Sequence, residues 1–241
     1  MLNEQINRRA TVFINENRMM NNQDLAILNP IMQEFALLPS TNKQMNLQIT
    51  PNGLQPIEGL SIELRSNNDS FIISFGQGRI DILRNKISMG DNLEPINDFI
   101  VRVQRIISML TQAYPTWTIN RLALCLNVCF DLDVEHLVSS YHKFVVKDSP
   151  NTVEWRLRNV IRKPLSEEIP ILVNQVSTVS RSFFQTSFEQ LPLERILVET
   201  DFNTVMGQEI NFNPELIAAV WEATKTDTLL LIEEYNRLLT E

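Results

Sequence analysis

Glycine is scarce in this chain, with 6 residues in 241. Few glycines means few positive-φ turns and few loops able to wrap a phosphate closely. There is no P-loop, no dinucleotide-binding glycine fingerprint and no nucleophile elbow. Gly76-Gln77-Gly78 stands alone between two strand-like runs. It reads as a hairpin connection, because a phosphate cradle needs a helix N-terminus after it. Asparagine, at 24 residues, fills turn and cap positions instead.

Cysteine and histidine are rarer still, at 2 each. Cys125 and Cys129 lie in the apolar run Leu122–Phe130, read as a strand. Four residues of strand span roughly 13 Å, beyond the roughly 7 Å limit between disulfide-bonded Cα atoms. Both are expected to be reduced and buried, which excludes a disulfide scaffold. His136 and His142 lie six apart on an expected helix, so they point about 120° apart and cannot share one ion. No cofactor is expected. Long apolar runs are missing too: none approaches the roughly 18 residues of a membrane span. The stretch Met1 to Arg9 is polar, and no apolar segment of signal type follows it. The expectation is a cytosolic protein without membrane attachment.

What is present describes a folded globular chain. Apolar residues make up 44% and charged residues 21%, which excludes disordered and collagen-like classes. The net charge of −8 opposes a constitutive nucleic-acid binder, because such domains carry a basic surplus. The length suits one large domain or two small fused ones.

Residues Ala10–Asn15 read as a first strand. Asn29-Pro30 looks like a cap followed by proline at the first helical position, opening a helix to about Leu38. Pro39–Pro56 reads as a polar loop. Leu60–Arg65, Phe71–Phe75 and Arg79–Arg84 then form an antiparallel meander, because short links join short strands. Pro95 opens a helix that ends at Tyr114-Pro115. Ile119–Phe130 reads as a long central strand. Asp133 caps a helix bearing Leu137, Tyr141 and Phe144, and Asp148–Asn151 is a turn. Val153–Arg162, Ile169–Val179 and Arg195–Thr204 are three further strands. Asn213-Pro214 opens a C-terminal helix.

Both halves, 1–116 and 117–241, thus read strand, helix, three strands, helix. The expected fold is α+β, with antiparallel strands and the helices packed on one side. A duplicated unit with pseudo-twofold symmetry is one reading of that order. A unit whose element order repeats without common origin is the other.

Several segments carry a family resemblance. They are Phe71-Ile-Ile-Ser-Phe, the run Arg79 to Ile87, Asn92, the Phe99–Leu110 helix, Arg121-Leu-Ala-Leu leading to Asn127, and Ile196-Leu-Val-Glu-Thr-Asp-Phe before the closing helix. Over roughly Leu60 to the C-terminus this order resembles an uncharacterised, sporadically distributed prokaryotic family. In that family the Arg121 strand usually carries a glycine and a second arginine, where this chain has Ala123 and Cys125. The resemblance implies a fold and assigns no activity.

The candidate site residues lie on two strands. Glu199 and Asp201 are two apart and share one face, with Val198, Thr200 and Phe202 on the other. They could bind a divalent ion if Asp131 or Asp133 supplied a third oxygen. Arg156, Arg158 and Arg162 share a face with Glu154, opposite Trp155 and Leu157. These arginines either meet an anionic partner or cross-pair with Glu199 and Asp201 on a neighbouring strand. No catalytic constellation emerges. The leading expectation is therefore a non-enzymatic interaction protein that uses this mixed-charge face to bind a protein, a peptide or a second copy of itself. One alternative is a small-molecule or metal-dependent enzyme with a pocket between the sheet and the C-terminal helix. Another is a saddle-like sheet that binds nucleic acid.

Overall fold

A computed structural model describes residues 2–16, 20–50, 53–144, 154–186, 189–208 and 210–240. The elements follow the order β1 (Leu2–Ile14), α1 (Asn22–Glu34), β2 (Leu38–Thr50), β3 (Gly53–Arg65), β4 (Phe71–Gly76), β5 (Arg79–Asn85), α2 (Ile96–Ala113), β6 (Ile119–Asp131), α3 (Val134–Phe144), β7 (Trp155–Pro164), β8 (Leu172–Phe184), β9 (Leu193–Thr204) and α4 (Pro214–Thr240). The strands form one nine-stranded antiparallel sheet, ordered β2-β3-β4-β5-β1-β6-β9-β8-β7. β1 and β6 lie side by side near its middle. Their ladder joins residues before 117 to residues after it.

Alternation sets which side of each strand is buried. Leu122, Leu124, Leu126, Val128 and Phe130 of β6 turn to one face, in register with Val12 and Ala10 of β1 and with Phe202 and Val198 of β9. All four helices cover this face. One apolar cluster joins it to Leu28 and Ile31 of α1, Phe99 and Val103 of α2, and Val220 and Trp221 of α4. A second joins Val128, Val179 and Val198 to Leu137 and Tyr141 of α3 and Leu239 of α4. Each such side chain, taken fully out of water, contributes about 1.5–3 kcal/mol.

The α+β class, the antiparallel meanders and the one-sided helices agree with expectation. So do the caps at Asp133 and Asn213: Asp133 Oδ1 accepts from His136 N at 2.9 Å, and Asn213 Oδ1 accepts from Leu216 N at 2.8 Å.

Three elements differ. β1 begins at Leu2, so its polar half belongs to the strand. α1 begins at Asn22 and is capped by Asn21, not by Asn29. There Asn21 Oδ1 accepts from Gln23 N, and Asp24 Oδ2 accepts from Asn21 N, both at 2.8 Å. This reciprocal cap satisfies the orphan donors of the first turn, and Pro30 lies inside the helix. The expected loop Pro39–Pro56 is instead β2 and the start of β3, paired from Leu38↔Arg65 to Thr50↔Gly53. β2 tolerates Pro39 because it lies at the sheet's edge.

The first half therefore holds four meander strands against three in the second. Pro51, Asn52 and the expected turn Asp148–Asn151 lie outside the described residues. Among the described residues, no helix is long and apolar enough to cross a membrane.

Candidate functional site

The strand residues that alternate with the core project from the sheet's other face, which no helix covers among the described residues. Neighbours in the register share it. Arg9 of β1 lies opposite Cys125 of β6, and Cys125 lies opposite Asp201 of β9. In the next row Asn7 lies opposite Asn127, and Asn127 opposite Glu199.

The face is concave. One cavity of about 280 Å³ is lined by Asn7, Arg9, Leu83, Cys125, Asn127, Arg156, Arg158, Val176, Thr178 and Glu199 to Asp201. These residues come from six consecutive strands, β5 to β7. A second hollow of about 360 Å³ brings Asp69, just before β4, and Ile72 of β4 together with Phe184 to Thr186, at the end of β8. Only a sheet bent towards its open side brings strands so far apart around one space.

Four of the six expected site residues, Arg156, Arg158, Glu199 and Asp201, line the first cavity. Glu154 lies apart from it, in an adjoining shallow hollow shared with Arg156 and Glu199. Arg162 stands outside both, where its Nε donates to Asn174 Oδ1 at 2.9 Å.

The cross-strand pairing takes a different form from the one expected. β8 separates β7 from β9, so Arg156 reaches over it to hold Glu199, Nη2 to Oε2 at 3.3 Å. Both groups are well exposed, and such a pair contributes at most about 1 kcal/mol. Arg158 makes no ion pair or hydrogen bond among the described residues. Asp201 accepts from Asn203 Nδ2 at 3.1 Å.

Asp131 and Asp133 do not join Glu199 and Asp201. Arg195 holds Asp131, and Asp133 caps α3. Among the described residues, no group of three or more histidine, cysteine, aspartate or glutamate side chains is placed to hold a metal. Nor do Glu199, Asp201 and Arg156 line a space beneath the C-terminal helix. α4 packs on the opposite face, with Tyr235 Oη donating to Ser177 Oγ at 2.8 Å and Lys163 Nζ 2.7 Å from Asp227.

The centre of the site holds residues that the sequence did not mark as site residues. Arg9 Nη2 donates to Cys125 Sγ at 3.3 Å. Burial, and then the neighbouring Asp201 carboxylate, push the Cys125 thiol up to about 11 against the pull of Arg9. It stays protonated at neutral pH and is no nucleophile there. Asp81 accepts from Thr11 Oγ1 at 2.6 Å and from Arg79 Nη2 at 2.8 Å. Phe13 lies between the guanidinium groups of Arg79 and Arg121, 5.7 and 4.8 Å from its ring centre. The face thus offers ion pairs, hydrogen bonds and one aromatic ring held by cations.

No protein-family model matches the chain, and no curated protein matches it.

Proposed function

We propose that this chain is a non-enzymatic interaction protein that docks a segment of a protein or peptide partner on its concave sheet face. The supporting observation is the division of the fold. Four helices crowd one face, while the other keeps Arg9, Arg156, Arg158, Glu199 and Asp201 around one open cavity. Charges of both signs at one recess suit recognition of a polar segment, and they favour selectivity and encounter rate over raw affinity. In this reading the protein works in the cytosol and belongs with the uncharacterised prokaryotic family that its strand and helix order resembles. The two halves are then copies of one unit. In each, the last strand folds back on the first, β5 on β1 and β9 on β6, and β1 and β6 pair antiparallel across the middle.

Selection of a displayed random-peptide library on the wild type, against Arg158→Glu/Glu199→Arg, tests the reading. Enriched peptides are expected to lose about tenfold or more in affinity on the variant, as measured by fluorescence polarisation. Equal affinity for both forms overturns the reading.

A nucleic-acid saddle is the second reading, favoured by Phe13 between Arg79 and Arg121 on a concave face, an arrangement on which bases stack. Titration with an oligothymidylate at low salt tests it. Binding that weakens steeply with added salt supports it, and no binding at low salt removes it.

A further inference from the structure

We propose that the outer edge of β7 takes up an extended acidic peptide as a tenth strand of the sheet. This rests on the peptide-docking reading and names where the peptide lies and what its side chains carry.

β7 is the last strand on its side of the sheet. All ten of its residues, Trp155–Pro164, pair with β8 in unbroken register. Among the described residues nothing pairs with its other side, so alternate N–H and C=O groups point outward. Natural edges are usually shortened, bulged or covered to prevent strand addition. This one is long and has no bulge. It ends at Pro164, which has no N–H to extend the ladder.

The side chains specify the occupant. On the open face the edge carries Arg156, Arg158 and Arg162, and no carboxylate occurs from Trp155 to Pro164. Among the described residues Arg158 has no ion-pair or hydrogen-bond partner, and Arg162 has only the neutral Asn174. On the helix side Leu157 and Ile161 stand 40% and 46% exposed. Directly opposed residues of an antiparallel pair share a face. The matching strand therefore alternates, with carboxylates meeting Arg158 and Arg162 and apolar side chains covering Leu157 and Ile161.

A second copy of the chain does not fit. Twofold pairing of β7 with itself sets arginines directly or diagonally opposite one another, and like charges there destabilise. Lys163, in the same strand, already holds the carboxylate of Asp227 at 2.7 Å.

The probe is a fluorescein-labelled ten-residue peptide alternating Glu and Val. Its affinity is compared with that of a Lys-Val peptide and of the Glu-Val peptide methylated at every backbone nitrogen, which keeps the charge and has no N–H to donate to a ladder. The Glu-Val peptide is expected to bind at least tenfold more tightly than either, and to slow hydrogen exchange at β7 amides. Arg158→Glu/Arg162→Glu, changed at two exposed residues, is expected to weaken binding about tenfold with an unchanged melting temperature.

Equal binding of the N-methylated peptide, or unaltered exchange at β7, overturns the edge assignment and leaves face docking standing. Loss of binding in Glu199→Arg, with full binding in Arg158→Glu/Arg162→Glu, has the same meaning. No peptide binding at all overturns the edge assignment. A dimer in light scattering that the double variant dissociates also overturns it, because the edge then serves a second copy.

Discussion

Glu189→Gln isolates one buried ion pair at the end of the sheet. The Glu189 carboxylate accepts from Thr186 N at 2.9 Å, Thr186 Oγ1 at 2.7 Å and Arg195 Nη1 at 2.6 Å. Its side chain is 7% exposed and that of Arg195 6%. The Arg195 hydrogen bonds, opposed by burial and aided by Thr186, hold the carboxyl down from 4.5 to about 2. At 1.36 kcal/mol per unit, this sets a ceiling of about 3 kcal/mol. Water beside the pair screens part of it, so about 1.5 kcal/mol is expected.

A carboxyl lowered by folding stabilises the native state above its unfolded value and loses that effect as pH falls through the folded one. Glutamine mimics the protonated form at every pH. In urea titrations the wild type is therefore expected to exceed Glu189→Gln by about 1.5 kcal/mol from pH 7 down to about 5. The gap should then close towards pH 2. A gap that persists unchanged at pH 2, or none at pH 7, refutes the ion-pair account.

Three further outcomes follow from the core, the thiols and a helix cap. Leu124→Ala, fully buried on central β6, is expected to lower unfolding free energy by about 2–5 kcal/mol; a loss below about 1 kcal/mol in urea melts would contradict close packing there. Burial pushes the Cys125 and Cys129 thiols up to about 11 and about 12, so Ellman's reagent at pH 8 should label the native chain on the order of a hundredfold more slowly than the unfolded chain. Labelling at the unfolded rate would show that these thiols are open. Asp133→Ala removes the acceptor of His136 N and should cost about 1 kcal/mol by thermal or urea melts, whereas Asp133→Asn should cost much less.

The parts of the fold that could be read locally were found. Phe71-Ile-Ile-Ser-Phe and Leu122–Phe130 carry their own period or apolar density, and Asp133 and Asn213 carry their caps in one side chain each. β2 carries its signal in one half only. Met45, Leu47 and Ile49 alternate with Asn46 and Gln48, but Pro39, the polar run Ser40 to Gln44 and Pro51 give the stretch the composition of a loop. Pairing with β3 at thirteen positions makes all of Leu38–Thr50 a strand. Asn29-Pro30 misled for the opposite reason. It has the composition of a helix start, but the reciprocal bonds of Asn21 and Asp24 satisfy the first turn eight residues earlier.

The site shows the same division between what one strand encodes and what pairing creates. Alternation alone puts Glu199 with Asp201, and Arg156 with Arg158, on one side of their strands, and a two-residue slip would leave that unchanged. Alternation does not say that β8 stands between them, nor that Arg9 belongs to the site. Arg9 enters only through the β1–β6 register, which sets it opposite Cys125 and, one strand on, Asp201.

Adjacent Arg8 shows what enforces that register. It turns to the helix side, where it is 6% exposed, donates from Nε to Gln5 Oε1 at 2.9 Å and also bonds the Glu94 carbonyl. Slipping β1 by one residue would carry Arg8 to the open face, away from the Glu94 carbonyl. It would also turn Ala10 and Val12 out of the core. The row Arg9–Cys125–Asp201 on the open face is thus held in place by the partners of Arg8 beneath it.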